Sequence, residues 1–214
     1  MIKRLTAAVV CLAILLAHVA PASASNSGIR KQGKASWYGE EQHGLPTASG
    51  EDFDMKAFTA AHRKLPLGSV VKVTNVRNGR SVLVTVNDRG PYAGNRIIDL
   101  SYVAASRLGM VRQGVASVKL DVMANADGTP IHSGKAFYID IRRFAYKSDA
   151  LRLVRSLEKT GLASARAVRL EGTSNKAWMV AVGPFRNFHD AAGVRSTLQR
   201  KQPQSEIILE RGDL

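Results

Sequence analysis

The segment Lys135–Phe144, KAFYIDIRRF, returns 41 residues later at 176–185 as KAWMVAVGPF, and this internal repeat limits what the C-terminal part of the chain can fold into. The register persists beyond the two segments: Asp149 and Ala150 fall on Asp190 and Ala191, and Leu157 falls on Leu198. Each copy starts with the alternation of a strand and passes into the spacing of a helix. In the first copy Ala150, Leu151, Val154 and Leu157 form the buried stripe, Ser148 is the expected N-cap, and Gly161 follows the helix end. A second strand closes each copy, over 165–170 and 206–210. Two β-α-β units in tandem predict a βαββαβ sandwich with one sheet face bare of helices.

The segment ANADGTP, 124–130, is rich in turn formers and separates this repeat from a region of different pattern. From Gly33 to Met123 the chain reads as mainly β. Residues 70–76 and 81–86 alternate, and Asn78-Gly79 between them suits a tight hairpin turn. Further strands are expected near 34–38 and 116–122, and a short helix over 102–108 ahead of Gly109. Many brief strands with one small helix predict a compact barrel. Periodicity leaves the kind of barrel open.

The first 24 residues are read as an export signal: Lys3 and Arg4, then an apolar stretch from Ala7 to Ala20, then Ala22-Ser23-Ala24 as cleavage site. Cleavage after Ala24 leaves 190 of the 214 residues, with no other apolar run long enough to span a bilayer. Cys11 lies inside the apolar stretch behind Val10, where a lipidation signal would have a small residue, so it is read as filler and no lipid anchor is expected. The processed chain then has no thiol, and its core holds it together without disulfides. Loss of Lys3 and Arg4 from the 31 basic residues leaves 29 against 17 acids, a formal charge of +12. That excess predicts an anionic partner, and export makes nucleic acid the least suitable one.

Several motifs carry a family resemblance. Ala35-Ser36-Trp37-Tyr38-Gly39, Thr47-Ala48-Ser49-Gly50-Glu51 with Phe53-Asp54, Thr59-Ala60-Ala61-His62 with Leu65-Pro66 and Gly68, and Val86-Asn87-Asp88-Arg89-Gly90-Pro91 with Arg96–Ser101 together resemble the rare lipoprotein A (RlpA) family. The C-terminal repeat resembles a SPOR domain. Its second copy ends in the Gly-x-Phe of that pattern, Gly183-Pro184-Phe185, whereas the first copy departs from it at Arg142-Arg143. The resemblance implies a double-psi β-barrel over 33–123, a linker over 124–133 and a SPOR domain over 134–212. It further implies a lytic transglycosylase that cleaves the β-1,4 bond between N-acetylmuramic acid and N-acetylglucosamine and leaves a 1,6-anhydro end. The implied ligand of the SPOR domain is a glycan strand stripped of its stem peptides.

By the same resemblance the functional acids fall on Asp88 and Glu51, with His62 as a supporting polar group. Breaking a glycosidic bond needs a proton for the leaving oxygen and stabilisation of an oxocarbenium-like transition state, and carboxyl groups supply both. Asp88, at a strand end, is favoured as acid and base over Glu51. His62 alone also reads as a core histidine with satisfied nitrogens. Tyr38 is the candidate sugar-packing aromatic of the barrel, with Asn87, Arg89, Thr47 and Ser49 around the groove and Trp178 in the SPOR domain. Thr47 and Ser49 shape a loop in this reading and are not nucleophiles. Strand alternation turns Arg89 away from Asp88, toward a scaffold acid such as Asp99. His43 has no companion at metal-ligand spacing, and neither metal nor cofactor is expected.

The chain is accordingly read as an exported, monomeric enzyme of the periplasm or cell envelope that cuts stripped glycan at the division septum, with divisome proteins as candidate partners. The alternative is an expansin-like protein that binds peptidoglycan at the division site without cutting it.

Overall fold

The computed structural model describes residues 31–170, 177–198 and 200–211; the expected export segment and Lys176 of the repeat lie outside them. The first half closes into a six-stranded barrel. Its strands are β1 (Gln32–Tyr38), β2 (Thr59–Ala61), β3 (Val70–Asn75), β4 (Ser81–Asp88), β5 (Arg96–Ser101) and β6 (Ala116–Ala124). Around the barrel they run β1-β5-β2-β4-β3-β6. Two neighbouring pairs are parallel, β1 with β5 and β2 with β4, and the rest are antiparallel.

Alternation sets which side chains fill the barrel. In β6 Ala116, Val118 and Leu120 are buried while Ser117 and Lys119 are exposed, and in β3 Val71 and Val73 are buried on either side of exposed Lys72. These residues join Val84, Val86, Ile98 and Leu100 in one apolar core. The β3–β4 hairpin turns at Asn78-Gly79, where φ of +72° at Gly79 requires a residue without a Cβ. Helix α1 (Tyr102–Arg107) starts where Ser101 Oγ accepts the Ala104 N–H at 3.4 Å.

The second half contains β7 (Lys135–Phe144), α2 (Lys147–Glu158), β8 (Ala165–Arg169), β9 (Trp178–Phe185), α3 (Phe188–Leu198) and β10 (Glu206–Arg211). Its sheet runs β10-β7-β9-β8 and is antiparallel throughout, the βαββαβ order expected from the repeat. The expected helix N-cap differs: α2 begins two residues earlier, with Tyr146 as N-cap, so Ser148 sits inside the first turn. Ile139, Ile141, Val180 and Val182 meet Ala150, Val154, Leu157 and Leu198 of the two helices. Ala136, Tyr138, Met179 and Ala181 gather on the opposite face of the sheet, where no helix among the described residues packs.

The two halves share a third apolar cluster, with Val70 and Ala124 from the barrel against Phe137, Phe188 and Ala191. The connecting segment is drawn in as well: a Cβ on Gly68 would stand 2.2 Å from the Ala126 carbonyl oxygen. No helix among the described residues is long and apolar enough to cross a membrane.

Candidate active site

Strand β4 ends at Asp88, and the chain leaves it through Gly90 and a cis Gly90–Pro91 bond. The first oxygen of the Asp88 carboxyl, Oδ1, accepts the backbone N–H of Arg89 at 2.8 Å and that of Ala48 at 3.0 Å. Its Oδ2 has no hydrogen-bond partner among the described residues. Two fixed donors on one oxygen set the plane of the carboxyl and leave the second oxygen for a ligand.

Ala48 belongs to a loop that bonds to itself before it bonds to β4. Thr47 Oγ1 donates to the Glu51 carbonyl at 2.7 Å and lies 3.0 Å from Ser49 Oγ, and the Gly50 N–H reaches the Thr47 carbonyl at 3.0 Å. The Ser49 N–H then bonds to the Asn87 carbonyl at 3.0 Å. The loop therefore docks on both Asn87 and Asp88, which brings Glu51 to the strand end with its carboxyl exposed and unpaired among the described residues. Thr47 is buried and holds the loop in shape; Ser49 is exposed.

His62 follows β2, and its backbone N–H bonds to the Asp88 carbonyl at 3.1 Å. The ring is buried, and Nδ1 accepts the N–H groups of Leu65 at 3.0 Å and Lys64 at 3.1 Å. An acceptor at Nδ1 places the proton of the neutral ring on Nε2. Burial, with the charges of Arg89, Arg63 and Lys64, pushes the imidazole down to about 4, so it stays neutral at physiological pH. One ring nitrogen is thus a structural acceptor, and the other keeps its donor.

Arg89 does not reach Asp99. Its Nη1 donates to the carbonyls of Leu65 at 2.8 Å and His62 at 3.1 Å, closing the turn that the His62 ring closes from inside. Asp99 instead accepts from Ser36 Oγ at 2.7 Å and pairs with Arg96 at 3.2 Å. The Asn87 side chain is buried and its Oδ1 has no partner among the described residues.

Tyr38 stacks on Phe53 with ring centroids 4.2 Å apart, a contact to which the sequence reading gave no role although Phe53 lay in the same motif as Glu51. The Tyr38 hydroxyl is buried without a partner among the described residues. Burial and then the charges of Asp88 and Asp99 push it above its ordinary range, so it remains a proton donor. Trp37 points the other way, donating from Nε1 to the Val111 carbonyl at 3.3 Å. Trp178 is not brought to this site; it packs against the helix-covered core of the second domain, with Lys147 Nζ 5.3 Å from its ring.

A closed barrel with two parallel strand pairs, carrying a carboxyl at a strand end and followed by a βαββαβ module, defines a double-psi β-barrel protein with a SPOR domain. Residues 30–120 match the family model described as lytic transglycolase, and residues 133–209 match the SPOR domain. The chain belongs to the RlpA family. It is 42% identical over 161 residues to the endolytic peptidoglycan transglycosylase RlpA of Neisseria meningitidis serogroup B, covering 75% of this chain and 67% of that protein. It is 40% identical over 159 residues to the protein of the same name from Vibrio cholerae, covering 74% of this chain and 60% of that protein. Among solved structures, the apo expansin of Clavibacter michiganensis is 15% identical with a TM-score of 0.37, covering 73% of this chain and 80% of that one.

Proposed function

We propose that the chain is a peptidoglycan lytic transglycosylase of the cell envelope, with Asp88 as the group that gives and then takes the proton. The observation that carries this reading is the Asp88 carboxyl, held through Oδ1 by two backbone N–H groups, with Oδ2 unengaged beside the loop that presents Glu51. Oδ2 protonates the glycosidic oxygen as the bond to C1 breaks, and the Glu51 carboxylate stabilises the positive charge that develops on the sugar ring. The C6 hydroxyl of the same sugar then attacks C1 and passes its proton to Asp88. A 1,6-anhydro ring closes and no water is consumed. Neutral His62 offers an Nε2–H throughout this cycle, and the Tyr38 hydroxyl is a second uncharged donor close to Asp88.

The relatives named as endolytic transglycosylases support this reading, and the SPOR match supports attachment to peptidoglycan. The finer reading is that the substrate is a glycan strand stripped of stem peptides and that the enzyme works at the division septum. Mass spectrometry of material released from amidase-treated sacculi tests it. Anhydromuramyl ends released by the native chain, and absent with Asp88→Asn, are the expected products. Reducing ends would show hydrolysis instead, and binding without release would leave a glycan-binding protein. Equal cutting of untreated sacculi would remove the preference for stripped strands, and a fluorescent fusion spread evenly around dividing cells would remove the septal role.

A further inference from the structure

A cleft of about 370 Å³ lies between the barrel and the C-terminal domain, lined by β4 on one side and by α3 and β10 on the other. Asp88, Glu51 and His62 take no part in it. Arg195 of α3 lies in its wall and is 9% exposed. In the 41-residue repeat this arginine stands where the first copy has Val154, a residue of the buried stripe. A guanidinium has thus replaced an apolar side chain at a position the fold buries.

The cation is only partly satisfied there. Its Nε donates to the Ser205 carbonyl at 2.9 Å, and its guanidinium carbon lies 4.3 Å from the centre of the Phe58 ring. Its two terminal nitrogens have no hydrogen-bond partner among the described residues. Glu206, the acid at hand, is bonded to Arg107. Burial and the Arg107 charge push the guanidinium down to about 10, which still leaves it positive at neutral pH. The two terminal nitrogens are not among the buried unpaired atoms and open on the cleft, where an entering anion can take their donors. Exposed Lys56 and Lys72 add positive charge to the lining. The remaining polar members are Glu210, an exposed acid toward the end of β10, and the hydroxyls of Ser196 on α3 and of Thr59, Ser81 and Thr85 on the barrel side; Thr59 Oγ1 is buried without a partner among the described residues. Free guanidinium donors suit a carboxylate, the hydroxyls suit those of a sugar, and the apolar wall that includes Leu83, Met123, Phe188 and Ile207 suits the faces of its rings.

We propose that this cleft is a second glycan subsite, in which Arg195 receives the lactyl carboxylate of a muramic acid residue whose stem peptide has been removed. The inference rests on the reading of peptidoglycan as substrate. It gives both domains a hold on one strand, and it favours stripped strands because an attached peptide would convert that carboxylate to a neutral amide.

The test measures equilibrium binding to the full chain carrying Asp88→Asn, which prevents turnover. The probes are an N-acetylglucosamine–N-acetylmuramic acid tetrasaccharide with free carboxyls, its methyl ester, and dodecanoate. With Arg195 present the free acid is expected to bind about tenfold more tightly than the ester, and with Arg195→Gln the two should bind alike. Lys72→Gln, an exposed change with little consequence for folding, should reduce the preference about twofold. The same acid-to-ester ratio in all three proteins overturns the proposal. So does dodecanoate that binds in an Arg195-dependent way while the two glycans do not differ, since the cleft would then belong to a fatty anion. Absence of anhydromuramyl products from the native chain would sink the proposed reaction but would leave the acid-to-ester comparison readable by itself.

Discussion

The Ala48 N–H donates to Asp88 Oδ1 at 3.0 Å across a separation of 40 residues, so the loop that presents Glu51 and the strand that ends in Asp88 are fixed to each other through the carboxyl itself. Asp88→Asn preserves both bonds to Oδ1, because an amide oxygen accepts as a carboxylate oxygen does, but it removes the transferable proton. The rate of anhydromuramyl release should fall about 10²- to 10⁴-fold with the melting temperature nearly unchanged. Glu51→Gln, on an exposed side chain, should lower the rate less. A larger loss with Glu51→Gln than with Asp88→Asn would exchange the two roles.

Arg89 acts on the site through the turn at His62. One nitrogen bonds two carbonyls, at 2.8 and 3.1 Å, and a lysine ammonium at the end of a flexible stem would hold them less firmly. Arg89→Lys is expected to lower kcat about tenfold with KM changed less than twofold, the pattern of a residue that positions His62 without touching substrate. A rise in KM at constant kcat would mean that Arg89 contacts the glycan.

The neutral His62 ring makes stability depend on pH in a defined direction. Its folded value of about 4 lies below the ordinary 6.5. As pH falls through 6.5 the unfolded chain binds the proton first, so stability is lost between about 6.5 and 4, by up to about 3 kcal/mol. Above 6.5 this contribution is fully present. In His62→Asn the side-chain oxygen can take the place of Nδ1 as acceptor without titrating, so urea denaturation should show a shallower decline for the variant over that window. Parallel declines would assign the pH dependence to other groups.

Much of this was legible in the sequence for a physical reason: where one face of an element is buried and the other exposed, the pattern is written in residue type. That holds for β3, β4 and the tandem repeat. It fails for β5, where Ile97 and Ile98 are both buried and alternation disappears, and for β2, which has three residues. The acids were read through a motif, but how they are held was not, since the Ala48 and Ser49 donors are backbone groups that any residue except proline supplies. The double use of His62 and the grip of Arg89 on two carbonyls were equally silent, because both act on main-chain atoms. Arg195 did leave a signal, a charged residue at the repeat position of Val154, visible only when the two helices are compared as buried stripes.

The seam between the domains predicts how the chain unfolds. Phe188 is 3% exposed and meets Phe137 edge-on at 5.3 Å within the cluster that also takes Val70 and Ala124 from the barrel. Around it Arg195 lies over Phe58, and the Phe188 N–H bonds to the Gly128 carbonyl at 3.0 Å. The Arg107–Glu206 ion pair also crosses the seam, but its partly exposed position limits its contribution to stability. Apolar burial shared by two domains couples their unfolding, since neither can open without exposing the other's side of the cluster. Calorimetry of the native chain should therefore show one transition whose van't Hoff and calorimetric enthalpies agree. Phe188→Ala should cost about 3–5 kcal/mol and separate that transition into two, because it empties the centre of the shared cluster while leaving the barrel core intact. Arg107→Gln should shift the single transition slightly without dividing it. Two transitions in the native chain would mean that the domains are joined by the linker alone, and that a cleft between them has no fixed shape with which to bind a strand.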